Sequence, residues 1–407
     1  MHEAQTTTAP RQDGQGRTTP AKICAAMLWT SAANLAGLLA LALWLLSITN
    51  SYLFASALFA CQWVLPLLLP KGIDWLRQDR SPRAVAIPAQ LLTVAIYVLL
   101  ALCVATRFVP GVFLLVALHG YTDALTRAAA SHAMRLSGAD PEPVDDAMGT
   151  LGRWRLVGGS AAGVLFAFVG ATTQAQDLLM AAAVVHVISA VIYASVALPA
   201  RIPPAGWARP ATKARIRDIL RNEPVAKVLL AQLAIITLFQ GMHYAILVAY
   251  PGRVLHQGGL GIGTISAVST SAMLCGSLLF TSRSVRKRLG STRPWVFAVA
   301  AGLLATAAVS LTSPIPGYVV YFVFFLILEA GFQRFNQEFI AAIQPANGPS
   351  MLSLRARVLC GSILAGIGMT TLGLAFTTVG LSVYAVSYVA AFLAAIVYRR
   401  YLLTKNA

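Results

Sequence analysis

Acidic side chains are scarce in this chain. Fourteen Asp and Glu stand against 31 Lys and Arg in 407 residues, and charged residues of both signs make up only 11%. With 57% of the residues hydrophobic, a water-soluble fold of this length has too little polar surface to cover its apolar side chains, so the solvent must be lipid. Cysteine is also sparse. The five (Cys24, Cys61, Cys103, Cys275 and Cys360) all lie inside apolar runs without metal-type spacing, which excludes a disulfide scaffold and a zinc site and leaves them as small core residues. No G-x-x-x-x-G-K-[ST] segment occurs, so a P-loop does not supply ATP as the energy source. H-E-x-x-H and G-x-S-x-G are missing too, which removes the simplest membrane-protease and esterase readings.

What the chain has is apolar length. Twelve stretches approach or exceed the ~20 residues a helix needs to cross a bilayer: 23–47, 52–70, 85–106, 110–130, 154–172, 178–199, 225–250, 262–282, 294–312, 317–339, 358–378 and 380–398. Positive charge collects in alternate gaps. It is found in the first tail (Arg11, Arg17, Lys22), after the second span (Lys71, Arg77, Arg80, Arg83), between the sixth and seventh (Arg201 to Lys227), after the eighth (Arg283 to Arg293) and at the end (Arg399, Arg400, Lys405). The opposite side carries only Arg107 and Arg253. Lys and Arg concentrate in cytoplasmic loops, so both termini are expected in the cytoplasm. The net charge of +17 is then topological, with anionic lipid as a secondary contact, and it does not call for a nucleic-acid partner.

The expected organisation is a disordered cytoplasmic tail over 1–22, a six-helix bundle over 23–199, a basic linker over 200–224, a second six-helix bundle over 225–398 and a tail over 399–407. The loop 136–150 is acidic, an exception to the inward positive trend. Six spans, a linker and six more spans suit two parallel repeats with a site between them near the bilayer midplane. Aligning Gly120 with Gly331 sets Asp123 opposite Arg334 and Arg127 opposite Glu338, so the charges swap sign between the halves.

These features resemble the major facilitator superfamily, in particular its bacterial branch of macrolide-efflux and enterobactin-export proteins. Asp79-Arg80-Ser81-Pro82-Arg83 is similar to the family's D-R-x-G-R loop, with proline at the glycine position and Trp75 where an earlier glycine is usual. Its second-half counterpart, Arg286 to Gly290, lacks the acid. Gly158 to Gly163 is similar to the antiporter G-P-x-x-G-G motif without its proline, and Arg355-Ala356-Arg357-Val358 before the eleventh span resembles R-G-R-V. The resemblance implies an all-α integral membrane protein of twelve transmembrane helices in two six-helix bundles. It would act as a monomeric, multi-pass carrier in the inner membrane, and it would need no cofactor beyond a proton gradient.

An ionisable group inside a span is costly unless paired or hydrated, which makes it a functional candidate. On the fourth span His119, Asp123 and Arg127 follow at i, i+4 intervals, so Asp123 serves either as a proton-coupling carboxylate or as half of a structural ion pair. On the tenth span Glu329 has no charged residue three or four positions away and needs either a partner from another helix or a proton. Arg334 and Glu338 satisfy each other by spacing, or join Asp79, Arg80, Arg83 and Arg127 in a gating charge network of the kind the resemblance implies. Gln240 and His243 on the seventh span, and Asn34 and Tyr97 on the first and third, are candidates to line a cavity or to bond neighbouring helices. His186 has a weaker case.

The expected function is a proton-driven exporter of a small amphipathic compound such as a siderophore, macrolide or other drug. An importer of the same fold, a siderophore or peptide permease, is the alternative. A membrane-embedded enzyme or lipid flippase would need a reactive constellation, and only His119 and Asp123 approach one, so the chain is not expected to be an enzyme.

Overall fold

The computed structural model describes residues 15–70, 81–137, 144–170, 172–196, 220–221, 223–281, 313–343, 348–376 and 397. Among them there is no strand. Ten long helices follow one another: α1 (Gln15–Thr49), α2 (Tyr52–Leu68), α3 (Pro82–Ala105), α4 (Val109–Leu136), α5 (Val144–Val169), α6 (Ala175–Ala194), α7 (Pro224–Ala249), α8 (Gly258–Thr281), α9 (Pro314–Ala342) and α10 (Gly348–Phe376). A short π-helical turn, Tyr250–Val254, follows α7. Eight of the helices are long and apolar enough to cross a membrane, and α2 is a shorter apolar helix. Helix is the one element that satisfies its own backbone in lipid. Local signals fit: at α3, Ser81 accepts the Ala84 amide proton at 3.2 Å while Pro82 opens the first turn, the usual cap chemistry.

The ten helices fall on ten of the twelve spans read from the sequence. The ninth, 294–312, and the twelfth, 380–398 apart from Val397, lie outside the described residues, as do Asp79, Arg80 and most of the linker 200–224. Several helices extend beyond the apolar runs. α1 starts at Gln15, so residues 15–22 of the expected disordered tail are helical. The expected loop 136–150 is mostly helix, since α4 runs to Leu136 and α5 begins at Val144. α10 begins at Gly348, so Arg355 and Arg357 lie within a helix rather than before one. Hydropathy marks where lipid ends and helical hydrogen bonding continues past it, which explains all three differences.

Between the halves, α5 packs on α8 and α2 on α10 and α7. The tightest joints are made by glycine. A Cβ on Gly163 of α5 would strike the Ala267 backbone of α8, and one on Gly263 of α8 would strike Ala167 of α5. Gly241 of α7 and Gly366 of α10 are reciprocal in the same way, the small-residue packing expected where lipid offers no hydrophobic drive. Gly158 and Gly159 are also in close contact, but Gly361 and Gly368 meet nothing within 4 Å among the described residues. The α5–α8 joint, the Ser56 hydroxyl donating to the Ala245 carbonyl at 2.9 Å and Tyr52 against Gly252 close the end of the molecule opposite the start of α1. Outward faces carry large apolar side chains such as Ile315, Phe168 and Leu114, which are 77%, 76% and 64% exposed, as lipid contact requires.

Gly163→Ala and Gly361→Ala should therefore differ in sign. The first should destabilise the detergent-purified protein by about 1–3 kcal/mol. The second should leave it unchanged or raise its stability by up to about 1 kcal/mol through helix propensity. Unfolding midpoints of the two variants measure the contrast.

Candidate functional site

A cavity of about 830 Å³ lies between the two halves. It runs from the closed layer toward the end where α1 begins, reaching Pro70, Thr150 and Gln337. Asn34, His119, Asp123, Gln240, His243 and Glu329 all line it, so six residues singled out from the sequence converge on one space.

In the first half, Asp123 is held from two sides. Arg127 approaches Oδ2 through Nε at 3.1 Å, and Asn34 Nδ2 donates to Oδ1 at 2.9 Å. Arg127 also sits over the Trp63 ring, 5.7 Å from its centroid, a cation–π contact that fixes the guanidinium. Asn34 is the hub. Its Oδ1 lies 2.9 Å from His119 Nε2, 3.0 Å from His186 Nε2 and 3.4 Å from the Tyr97 hydroxyl. Four helices thus meet through one amide: α1, α3, α4 and α6.

His186 carries the network deeper. Its Nδ1 lies 2.6 Å from Gln90 Oε1, and Gln90 Nε2 reaches the Thr30 and Thr126 hydroxyls at 3.3 and 3.5 Å. Both ring nitrogens are thus within hydrogen-bond distance of an amide group. A neutral ring satisfies both contacts when Nε2–H donates to Asn34 Oδ1 and the Gln90 amide presents its Nε2 to Nδ1.

The second half is plainer. Glu329 on α9 accepts from Gln333 Nε2 at 2.6 Å and forms no ion pair among the described residues. His243 bonds the Tyr321 hydroxyl through Nδ1 and packs edge-on against Phe325, with ring centroids 4.5 Å apart. It is therefore tied into an aromatic cluster while still lining the cavity. Gln240 stands one turn before Tyr244 on α7, and both line the cavity.

Of the charges proposed for gating, Arg127 is the partner of Asp123. Arg334 pairs with Glu338 on its own helix at 3.0 Å, and Arg83 is exposed on α3 with no ion pair among the described residues. Asp79 and Arg80 lie outside the described residues. Sequence reasoning missed Gln90 and Arg155. Gln90 is a lone amide in an apolar span, and its helical register relative to Thr93 and Tyr97 is the signal that would have found it. Arg155 stands at the edge of the apolar run 154–172. Because α5 begins at Val144, it lies about 16 Å along the helix at 1.5 Å per residue.

Asn34→Leu should strip the Asp123 carboxylate and two imidazoles of a partner at once and destabilise the protein by about 2–4 kcal/mol. Arg83→Ala should stay within about 0.5 kcal/mol of wild type. Chemical unfolding in detergent compares them.

No protein-family model matches the sequence, and no curated protein is similar enough in sequence to match. Solved structures do match. The nucleoside transporter NupG superposes with a TM-score of 0.69 at 14% identity, over 93% of this chain and 99% of that one. The peptide transporter POT in complex with sulfate gives 0.74 at 13% identity, over 94% of each chain. A bacterial homologue of the human lysosomal transporter Spinster, inward-facing and unoccupied, gives 0.64 at 13%, over 93% and 92%. All three are transporters and none is an enzyme. At such identity the likeness speaks for the fold and not for the macrolide or enterobactin branch. The chain has the fold of these membrane transporters, the major facilitator fold.

Proposed function

We propose that the protein is a secondary active transporter of the inner membrane. It moves a small amphipathic molecule by alternating access and draws on the proton gradient. The observation that carries the reading is the cavity between the halves, where a carboxylate from each half, Asp123 and Glu329, meets a space within the usual 300–1,000 Å³ range of small-molecule sites. Apolar lining from Leu38, Phe59 and Leu247 suits an amphipathic cargo. With twelve crossings and both termini in the cytoplasm, as the charge pattern implies, the open end faces inward and the glycine-packed end faces outward. Rocking the halves about that joint would open the other side.

Asp123 is the carboxylate whose protonation changes most contacts. A proton there removes the charge that holds Arg127 and frees Arg127 to move. Glu329 exchanges its proton without breaking an ion pair. The Asn34–His186–Gln90 chain offers protons a buried relay beside Asp123. The sense of transport is taken as export from the sequence resemblance. The import reading uses the same residues with the proton moving alongside the cargo.

Inverted membrane vesicles acidified by respiration test both parts. Adding members of a panel of macrolides, other drugs and siderophores should discharge the pH gradient in wild-type vesicles. Glu329→Gln and Asp123→Asn should each slow that discharge about tenfold or more, the scale on which a positioned proton-transfer group acts. Wild-type discharge by both variants would sink the proton assignment. Uptake of the same compounds into right-side-out vesicles, driven by an inward proton gradient, would replace export with import.

A further inference from the structure

We propose that the cavity receives an organic anion: an apolar body bearing a carboxylate, phosphate or sulfonate group, taken up by Arg155 and Arg355. The biological role of this site rests on the transporter reading above, whereas the binding chemistry rests on the cavity alone.

Four arginines (Arg127, Arg153, Arg155 and Arg355) line the cavity against two acids, Asp123 and Glu329. The acids are already engaged, Asp123 by Arg127 and Asn34 and Glu329 by the Gln333 amide. Arg153 bonds Thr150 near the open mouth. Arg155 and Arg355 make no ion pair or hydrogen bond among the described residues. Arg155 lies within electrostatic range of Arg127, Asp123 and Tyr244. Arg355 is only 9% exposed, and its Nε is buried without a partner.

An unpaired guanidinium away from bulk water is costly, and its planar donor fork matches carboxylate and phosphate oxygens. The Ser266 hydroxyl, also buried without a partner and also on the cavity wall, adds a neutral donor. Phe59, Leu247, Leu328 and Ile363 line the same space and receive the apolar body. A cationic cargo would instead meet the surplus arginines. Arg155 belongs to α5 and Arg355 to α10, so the cavity draws its surplus cations from both halves.

Three probes of matched size decide the sign of the charge: 2-naphthoate, 2-naphthylmethanol and 2-naphthylmethylammonium. Each is titrated calorimetrically into the full-length protein in a non-ionic detergent. Naphthoate should bind tightest and the ammonium weakest. Arg155→Gln and Arg355→Gln should each weaken naphthoate about tenfold or more, the scale of hydrogen bonds to a charged group, and leave the alcohol unchanged. Arg155→Lys and Arg355→Lys, which keep the charge, should recover part of the loss. Ammonium binding as tight as naphthoate, or naphthoate binding untouched by both Gln substitutions, would overturn the proposal. If the Gln variants do not fold, the wild-type ranking and the Lys variants decide it. The expected ranking with no discharge in the vesicle assay would sink the transport reading and leave the anion site standing.

Discussion

A peptide group in hydrocarbon has no water to bond, and each unpaired N–H or C=O there costs several kcal/mol. A chain that is 57% hydrophobic and lives in that solvent must pair its backbone within each crossing, and helix does so. Once the elements are helices, they attract one another through contact and hydrogen bonding, because lipid is as apolar as their side chains. At the reciprocal glycine joints, Gly163 with Gly263 and Gly241 with Gly366, backbones approach too closely to admit a Cβ. The α5–α8 joint lies toward one end of the molecule. The halves therefore close there and diverge toward the other end, and the cavity is the space left between them.

The same solvent dictates how the polar side chains behave. A carboxylate, two imidazoles, a phenol and an amide from four helices share contacts through Asn34, which makes one polar cluster out of groups that lipid would penalise singly. Such a cluster is costly to leave half-satisfied. That is why a proton gained at Asp123 must be answered by a rearrangement of Arg127. A mechanism that links protons to movement needs this kind of forced reply. The second half has less of it, since Glu329 depends on one glutamine and His243 is fastened to Tyr321.

Much of the cavity was legible from spacing. The i, i+4 run of His119, Asp123 and Arg127 reads directly as one helical face, and an isolated Glu329 inside an apolar run stands out. His186 did not stand out, because its partners, Asn34 and Gln90, are separated from it by 152 and 96 residues. Arg155 and Arg355 were not placed in the cavity, for a different reason. Hydropathy locates the apolar part of a helix, and Arg155 stands at its edge (154–172) while Arg355 stands before it (358–378), each on turns that continue the helix. Their placement changes the charge of the cavity from balanced to positive.

The sequence by itself determined the solvent, the helical class and the spacing of charges along each helix, because these depend on composition and on local periodicity. Tertiary structure decided which polar groups share a hydrogen bond, which arginines are left without an acid and at which end the halves meet. Those outcomes depend on contacts between residues far apart in the chain, and no local pattern encodes them.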